Sequence, residues 1–223
     1  MDTIEKFLNE SGIDHFGFCE IPPRYRPFPH LPYAVSLGVP LPKPIVASIE
    51  EGPTHTYFHT YRTTNAFLDQ TALRLVLEIE SGGYNAVYVP ASQTVDSDGI
   101  RALFSHKMAA VLSGLGGIGQ NALFVSNKHG PALRLSTVLT DYPVKAGSMC
   151  ENPCINCGIC VQKCPCGALT GTSWEPGVPR DELLDAKKCS NYMKKAYRDI
   201  GRGAVCGICM AVCPLCSGKQ IIK

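Results

Sequence analysis

Eleven of the chain's twelve cysteines lie between Cys150 and Cys216, and only Cys19 falls outside. So dense a thiol cluster either closes disulfides, which suits small exported domains, or binds metal, which suits a reducing compartment. The opening MDTIEKFLNESG has neither the basic start nor the apolar run of an export signal. Metal is therefore the expectation, and the spacing sharpens it. CINCGICVQKCP sets Cys154, Cys157, Cys160 and Cys164 in the order C-x2-C-x2-C-x3-C-P. This is the ligand run of bacterial two-cluster ferredoxins: three closely spaced thiolates wrap one cubane, and the fourth reaches a second. Structural zinc sites use cysteine pairs separated by longer linkers.

A second run, CGICMAVCP, repeats part of the first with Cys206, Cys209 and Cys213 before Pro214. It is one thiol short. Cys189 upstream or Cys216 downstream supplies the missing ligand, and the spacing leaves that choice open. With Cys189 and the crossing rule, one [4Fe–4S] cluster takes Cys154, Cys157, Cys160 and Cys213. The other takes Cys164, Cys189, Cys206 and Cys209. Cys150 and Cys166 are then spare, and a spare thiol behaves as a small apolar side chain.

The rest of the chain sets the frame. Its 223 residues suit one large or two modest domains, and 45% hydrophobic content can bury a core. A formal net charge of +2 gives no strong field for nucleic acid or an anionic membrane. No apolar run approaches the roughly 20 residues of a membrane helix. A soluble, cytoplasmic protein is expected.

Residues 1–149 read as one α/β domain and 150–223 as a second domain of ferredoxin type, since the composition turns to Cys, Gly, Pro and Lys beyond Pro143. DTIEKFLNESG predicts a helix capped by Asp2 or Thr3 and stopped by Gly12. Tyr33–Val39 and YNAVYVP predict strands. Residues 54–81 predict helix, in one or two pieces, with Thr64 as a cap and Phe67, Leu68, Leu73, Leu75, Val76, Leu77 and Ile79 on a broad apolar face. DSDGIRALFSHKMAAVLSG predicts another helix with acidic caps. NALFVS and ALRLSTVLTD predict two strands joined by the turn residues NKHGP.

GLGGIGQ, with Gly114, Gly116, Gly117 and Gly119, spells a dinucleotide fingerprint, and Asp141 lies downstream where a ribose-binding acid would stand. That fingerprint needs a strand before the glycines and a helix after them. Here the predicted order is reversed, so the glycines mark a tight loop or the approach of another large cofactor. His106 and Lys107, beside the loop, are candidate proton donors or anion holders. His55 and His59 share a helix face without a third ligand and are expected to be a polar face. Lys187, Lys188, Lys194, Lys195, Arg198 and Arg202 form a basic stretch suited to an acidic electron donor.

The segment SHKMAAVLSGLGGIGQNALFVSNKHGPALRLSTVLTDYPV, followed by a two-cluster module, resembles the cobalamin-dependent iron–sulfur oxidoreductases, namely epoxyqueuosine reductases and corrinoid reductive dehalogenases. The resemblance runs from about Tyr57 to Leu215. It implies a nitroreductase-like α/β fold, two [4Fe–4S] clusters and a base-off cobalamin. It further implies Ser105, Gly114, Gly116, Gly117 and Gly119 near the corrinoid, and a reductive reaction on a small-molecule substrate. CSNYM resembles the family's isolated ligand and favours Cys189. Where epoxyqueuosine reductases carry a catalytic Asp, this chain has Ser105, His106 and Lys107, so tRNA modification is not expected. Tyr33, Tyr57 and Tyr61 are loose candidates for the tyrosine proton donor of dehalogenases. Reduced ferredoxin or flavodoxin is the implied donor. Two rival readings are an electron carrier without a corrinoid and a flavin- or nicotinamide-dependent reductase.

Overall fold

The computed structural model describes residues 3–96, 101–201 and 205–217. The chain forms two compact units and crosses between them after Val39, Arg62, Leu115, Leu133 and Cys150. The boundary expected after residue 149 falls beside the last crossing. Residues 40–62 and 116–133, read from composition as part of the first domain, group with the C-terminal residues instead. Those segments contain no cysteine, so composition gave no reason to separate them from the α/β chain.

The first unit is built on a four-stranded sheet in the order β1-β2-β6-β3. Its strands are β1 (His15–Glu20), β2 (Tyr33–Pro40), β3 (Ala86–Val89) and β6 (Leu133–Thr140). β1 pairs antiparallel with β2, and β3 antiparallel with β6. Successive side chains of a strand face opposite ways. Val35 and Leu37 of β2 join one apolar cluster with Ile4, Leu8, Leu68, Leu75 and Val138. Ala34 and Leu139 join another with Cys19, Val89, Phe104 and Ala109. Both faces of the sheet are covered, which explains why β2 reads as a continuous apolar run rather than an alternating one.

Helix α1 (Thr3–Glu10) stops near Gly12 as expected; Asp2 lies outside the described residues. Helix α3 (His55–Ser81) is one unbroken element, not two. Its start is capped by Thr54, whose hydroxyl oxygen accepts from the Tyr57 amide at 3.1 Å, so Thr64 has no capping role. Its buried stripe is narrower than expected. Asn65, Leu68, Ala72, Leu75, Val76 and Ile79 face inward, while Phe67, Leu73 and Leu77 are exposed.

Helix α4 (His106–Leu112) is shorter than its sequence run suggested, and Ser97 to Ile100 of that run lie outside the described residues. Ser105, not an acid, caps it. Its C-terminus closes through Gly114 (φ 76°): the Gly114 amide donates to Val111 O at 3.0 Å and the Leu115 amide to Ala110 O at 3.1 Å. This paired bond is the Schellman stop, which places a residue in the left-handed region.

The second unit holds the hairpin β4 (Gly116–Ile118) and β5 (Phe124–Ser126), with registers Gly116–Ser126 and Ile118–Phe124. Short helices follow: α2 (Lys43–Ala47), α5 (Ile159–Gln162), α6 (Arg180–Leu183), α7 (Ala186–Ala196), α8 (Arg198–Gly201), α9 (Ile208–Ala211) and α10 (Pro214–Ser217). Its core packs Leu41, Val46, Ile49 and Tyr57 from the early segment against Val205, Met210 and Ala211. That packing is why residues 40–62 group with the cysteine-bearing chain.

Two glycines with similar φ separate conformational strain from crowding. Gly83 (φ 84°) has open space where a Cβ would project, whereas at Gly114 the Cβ would meet the Ser148 carbonyl oxygen. Gly83→Ala is expected to cost about 1 kcal/mol, the left-handed penalty alone. Gly114→Ala should cost at least about 2 kcal/mol. Guanidinium unfolding midpoints of the two variants check this, and equal losses would count against the crowding at Gly114.

Candidate functional site: two thiol nests

The repeated tetrapeptide Cys-Gly-Ile-Cys builds the same local shape twice. Gly158 (φ 73°) and Gly207 (φ 99°) are left-handed and start α5 and α9. A side chain at Gly207 would run into Ile49 and Tyr57, so glycine is required there for space as well as for φ. Each turn carries its second cysteine, Cys160 or Cys209, into a short helix, and α5 packs against α9. The chain then reaches Cys164-Pro165 and Cys213-Pro214.

One hollow in this unit is lined by Cys154, Cys157, Cys160 and Cys213, together with Gly119, Gln120, Asn121 and Leu215. The last thiol of the second run thus lines the same hollow as the first three of the first run. Burial pushes the Cys160 thiol up to about 11, with Cys213, Cys154 and Cys157 adding to it. Burial raises Cys213 as well, and Cys157 and Cys154 act on it in the same sense.

The second group gathers around Cys209. Burial raises its thiol strongly, and Cys206, Cys189, Cys160 and Cys164 add to the rise. Burial raises Cys189 to about 11, reinforced by Cys166, Cys206 and Cys164. Cys216 sits apart. Its thiol is pushed to about 12 by burial and by Cys213, its backbone partner is Ala132, and it packs on the apolar core of the unit. The thiols that neighbour Cys189 are thus Cys164, Cys166 and Cys206, whereas the one beside Cys216 is Cys213.

Clustered thiols that resist ionisation need a positive partner to become thiolates, and binding iron releases their protons. Among the described residues no three His, Cys, Asp or Glu side chains converge as the ligands of a single ion do. A cubane instead needs each thiolate on a different iron, hence thiols spread around a hollow. The donor chemistry of both nests fits such clusters.

The residues missed from sequence are polar side chains that brace the first nest. Gln120 Nε2 donates to Gly171 O at 2.7 Å, and its Oε1 accepts from the Gly158 amide at 3.2 Å. Asn121 Nδ2 donates to Cys209 O at 3.3 Å. Asn152 Nδ2 donates to Ile118 O at 2.9 Å, and its Oδ1 accepts from the Cys154 amide at 3.2 Å. Their only sequence signal was position: polar residues in or beside Gly-rich and Cys-rich turns.

The glycine loop answers its spelling plainly. A helix precedes it and Gly116–Ile118 is itself a strand, so the dinucleotide arrangement is absent. Asp141 closes the end of the β3–β6 pair, accepting from the Asn85 amide at 2.7 Å and from Asn85 Nδ2 at 2.6 Å. In the second unit a Cβ at Gly116 would meet Val125 O, at Gly117 the Asn152 side chain, and at Gly119 Asn121 and Val125. Close packing of the protein on itself is what these glycines permit, and Gly119 also lines the hollow of the first thiol group.

In the first unit, Ser105 spends its oxygen on the Met108 amide at 3.3 Å. His106 bridges Thr137 Oγ1 at 2.8 Å and Pro90 O at 3.0 Å. A carbonyl only accepts, so Nε2 carries the proton and Nδ1 accepts from the threonine hydroxyl. Burial lowers this imidazole to about 4, and Arg134 adds to the effect against the bond to Pro90. Asp69 accepts from the Ala91 amide at 2.7 Å, and Arg134 Nη2 donates to Ala91 O at 3.3 Å, so three side chains pin the turn after β3. The proton-donor role expected of His106 is corrected: both ring nitrogens are engaged and the ring is a structural tie. Lys107 is half-buried and already interacts within the protein. His55 and His59 are exposed on α3, a polar face as expected.

Comparison with known proteins agrees with the thiol geometry. Residues 153–215 match the 4Fe-4S double cluster binding domain family. The chain is 30% identical over 118 residues to the epoxyqueuosine reductase of Lactococcus garvieae, covering 49% of this chain and 31% of that protein. Matched relatives are thus spanned for about a third of their length. In fold, the catabolic reductive dehalogenase NpRdhA is similar at TM-score 0.77 and 19% identity, over 96% of this chain and 31% of that one. A reductive dehalogenase structure described as suggesting a mechanism for B12-dependent dehalogenation is similar at TM-score 0.74 and 18% identity, over 95% and 31%. Epoxyqueuosine reductase with an epoxyqueuosine-modified tRNA stem loop is similar at TM-score 0.65 and 17% identity, over 97% and 65%. The resemblance read from the sequence is thereby shown, with a mixed α/β fold. The last neighbour holds a modified tRNA stem loop, a partner that the net charge of +2 of this chain gave no reason to expect. No described helix is long and apolar enough to cross a membrane.

The His106 tie makes a signed prediction. Its folded value, about 4, lies below the ordinary 6.5. The stability it confers is therefore full above pH 6.5 and is lost as pH falls from 6.5 towards 4. His106→Gln is expected to be less stable at pH 7.5 and to lose less on going to pH 5.5, as read from guanidinium midpoints. Parallel pH profiles would exclude His106 as the group responsible.

Proposed function

We propose that this chain is an iron–sulfur oxidoreductase holding two [4Fe–4S] clusters. One is bound by Cys154, Cys157, Cys160 and Cys213, and the other by Cys164, Cys189, Cys206 and Cys209. The observation that carries this reading is the crossed hollow, where Cys213 faces the first three thiols across more than fifty residues of chain. The match of residues 153–215 to a double-cluster domain supports it. Cys160 adds to the rise of the Cys209 thiol, and α5 packs against α9, so the two ligand sets are neighbours.

Electrons enter from an acidic protein, reduced ferredoxin or flavodoxin, on the exposed basic side chains of α7 and α8: Lys187, Lys194, Lys195 and Arg198. Lys188 is engaged locally, donating to Gly167 O at 3.1 Å; Arg202 lies outside the described residues. The acceptor in the finer reading is a corrinoid, and the reaction a reduction of a small molecule. Likeness in fold to a B12-dependent dehalogenase over nearly the whole chain favours it. The glycines of the loop are packed against the protein's own carbonyls and side chains. The second reading, favoured by that packing, is an electron carrier serving a partner.

Anaerobic reconstitution with iron and sulfide should give eight irons per chain. Cys189→Ser is expected to lose up to four of them, and Cys216→Ser to keep all eight; the reverse result would overturn the ligand sets. Titration with hydroxocobalamin then separates the readings. Stoichiometric retention with a base-off Co(II) EPR signal supports the corrinoid reductase, and no retention supports the carrier.

A further inference from the structure

The second nest contains one thiol more than a cluster needs. Cys164-Pro165-Cys166-Gly167 is a tight turn, closed by the Gly167 amide donating to Cys164 O at 3.0 Å. Proline at the second position presets such a turn. It folds Cys166 back on Cys164, so that the two Sγ atoms stand 3.8 Å apart. The Ala168 amide also donates to Cys164 Sγ, at 3.4 Å. Cys166 is half-buried, not lost in the apolar core.

Between two thiols, either sulfur is able to donate. Iron removes the ambiguity. A ligating cysteine is a thiolate and has no proton to give, whereas an unbound cysteine at neutral pH is a thiol. The sulfurs are also too close together to serve two different corners of one cubane, whose terminal ligands point apart. We propose that Cys166 is a positioning residue whose S–H donates a hydrogen bond to the iron-bound sulfur of Cys164 and raises the reduction potential of the second cluster. One-electron reduction adds negative charge to the cluster and its sulfurs. A donor on a ligand sulfur stabilises that state more than the oxidised one. The Ala168 amide acts in the same sense, and the turn keeps both donors in place.

This inference rests on the reading of Cys164 as an iron ligand, and the test separates the two. Anaerobically reconstituted protein is titrated potentiometrically with dithionite, each cluster is followed by EPR, and iron and sulfide are counted in every variant. Cys164→Ala should lose up to four irons. Cys166→Ala should keep all eight and shift one cluster only. At the wild-type midpoint, its ratio of reduced to oxidised second cluster should fall roughly threefold to tenfold. Cys166→Ser, which retains a donor, should recover much of that ratio. Unchanged potentials in Cys166→Ala would overturn the hydrogen bond, and lost irons there would make Cys166 a ligand instead. Full iron in Cys164→Ala would overturn the ligand reading itself.

Discussion

Thiolates repel one another, and this chain gathers two groups of them in one unit. Most are pushed upward by burial and then by their sulfur neighbours. Such an arrangement is costly as bare anions and favourable around iron, because the metal supplies the charge that the protein withholds. The surrounding elements serve this constraint. Two left-handed glycines start the short helices that present Cys160 and Cys209. Gln120, Asn121 and Asn152 satisfy backbone groups that the irregular, cysteine-bearing chain leaves without helix or sheet partners.

The first unit obeys a different logic. Its sheet is covered on both faces, and its polar ties serve to hold a turn. Pro90 and Ala91 are fixed by His106, Asp69 and Arg134, from three separate elements. A titratable residue beside a glycine loop invites a catalytic reading. Here its two nitrogens are occupied by a carbonyl and a hydroxyl, and its charge is suppressed by burial. The same holds for the glycines, whose spelling suggests a phosphate cradle but whose missing side chains make room for the protein's own carbonyls and amides.

Legibility in the sequence followed the range of the signal. Helix α1, strands β2 and β3 and the stop at Gly82-Gly83 were readable because caps, prolines and periodicity act over a few residues. Strand β1, with its Gly17, passed unread, as did β4, which is three residues of mostly glycine and pairs only because β5 returns beside it. The exposed Phe67, Leu73 and Leu77 of α3 looked like core, since hydrophobicity alone does not say which stripe of a helix meets the sheet.

The sequence by itself determined the chemistry of the second unit. The spacing of Cys154, Cys157, Cys160 and Cys164, and its partial repeat, restricts the chain to sharing thiols between two nests, because ligand geometry is written in short separations. Only the tertiary structure decided which distant residues come to lie beside them. Cys189 lies beside Cys164, Cys166 and Cys206, while Cys216, nearer in sequence to Cys213, is folded against Ala132. It also decided that residues 40–62 and 116–133 support the cysteine-bearing unit. Both outcomes depend on contacts between segments far apart in the chain, which no local pattern encodes.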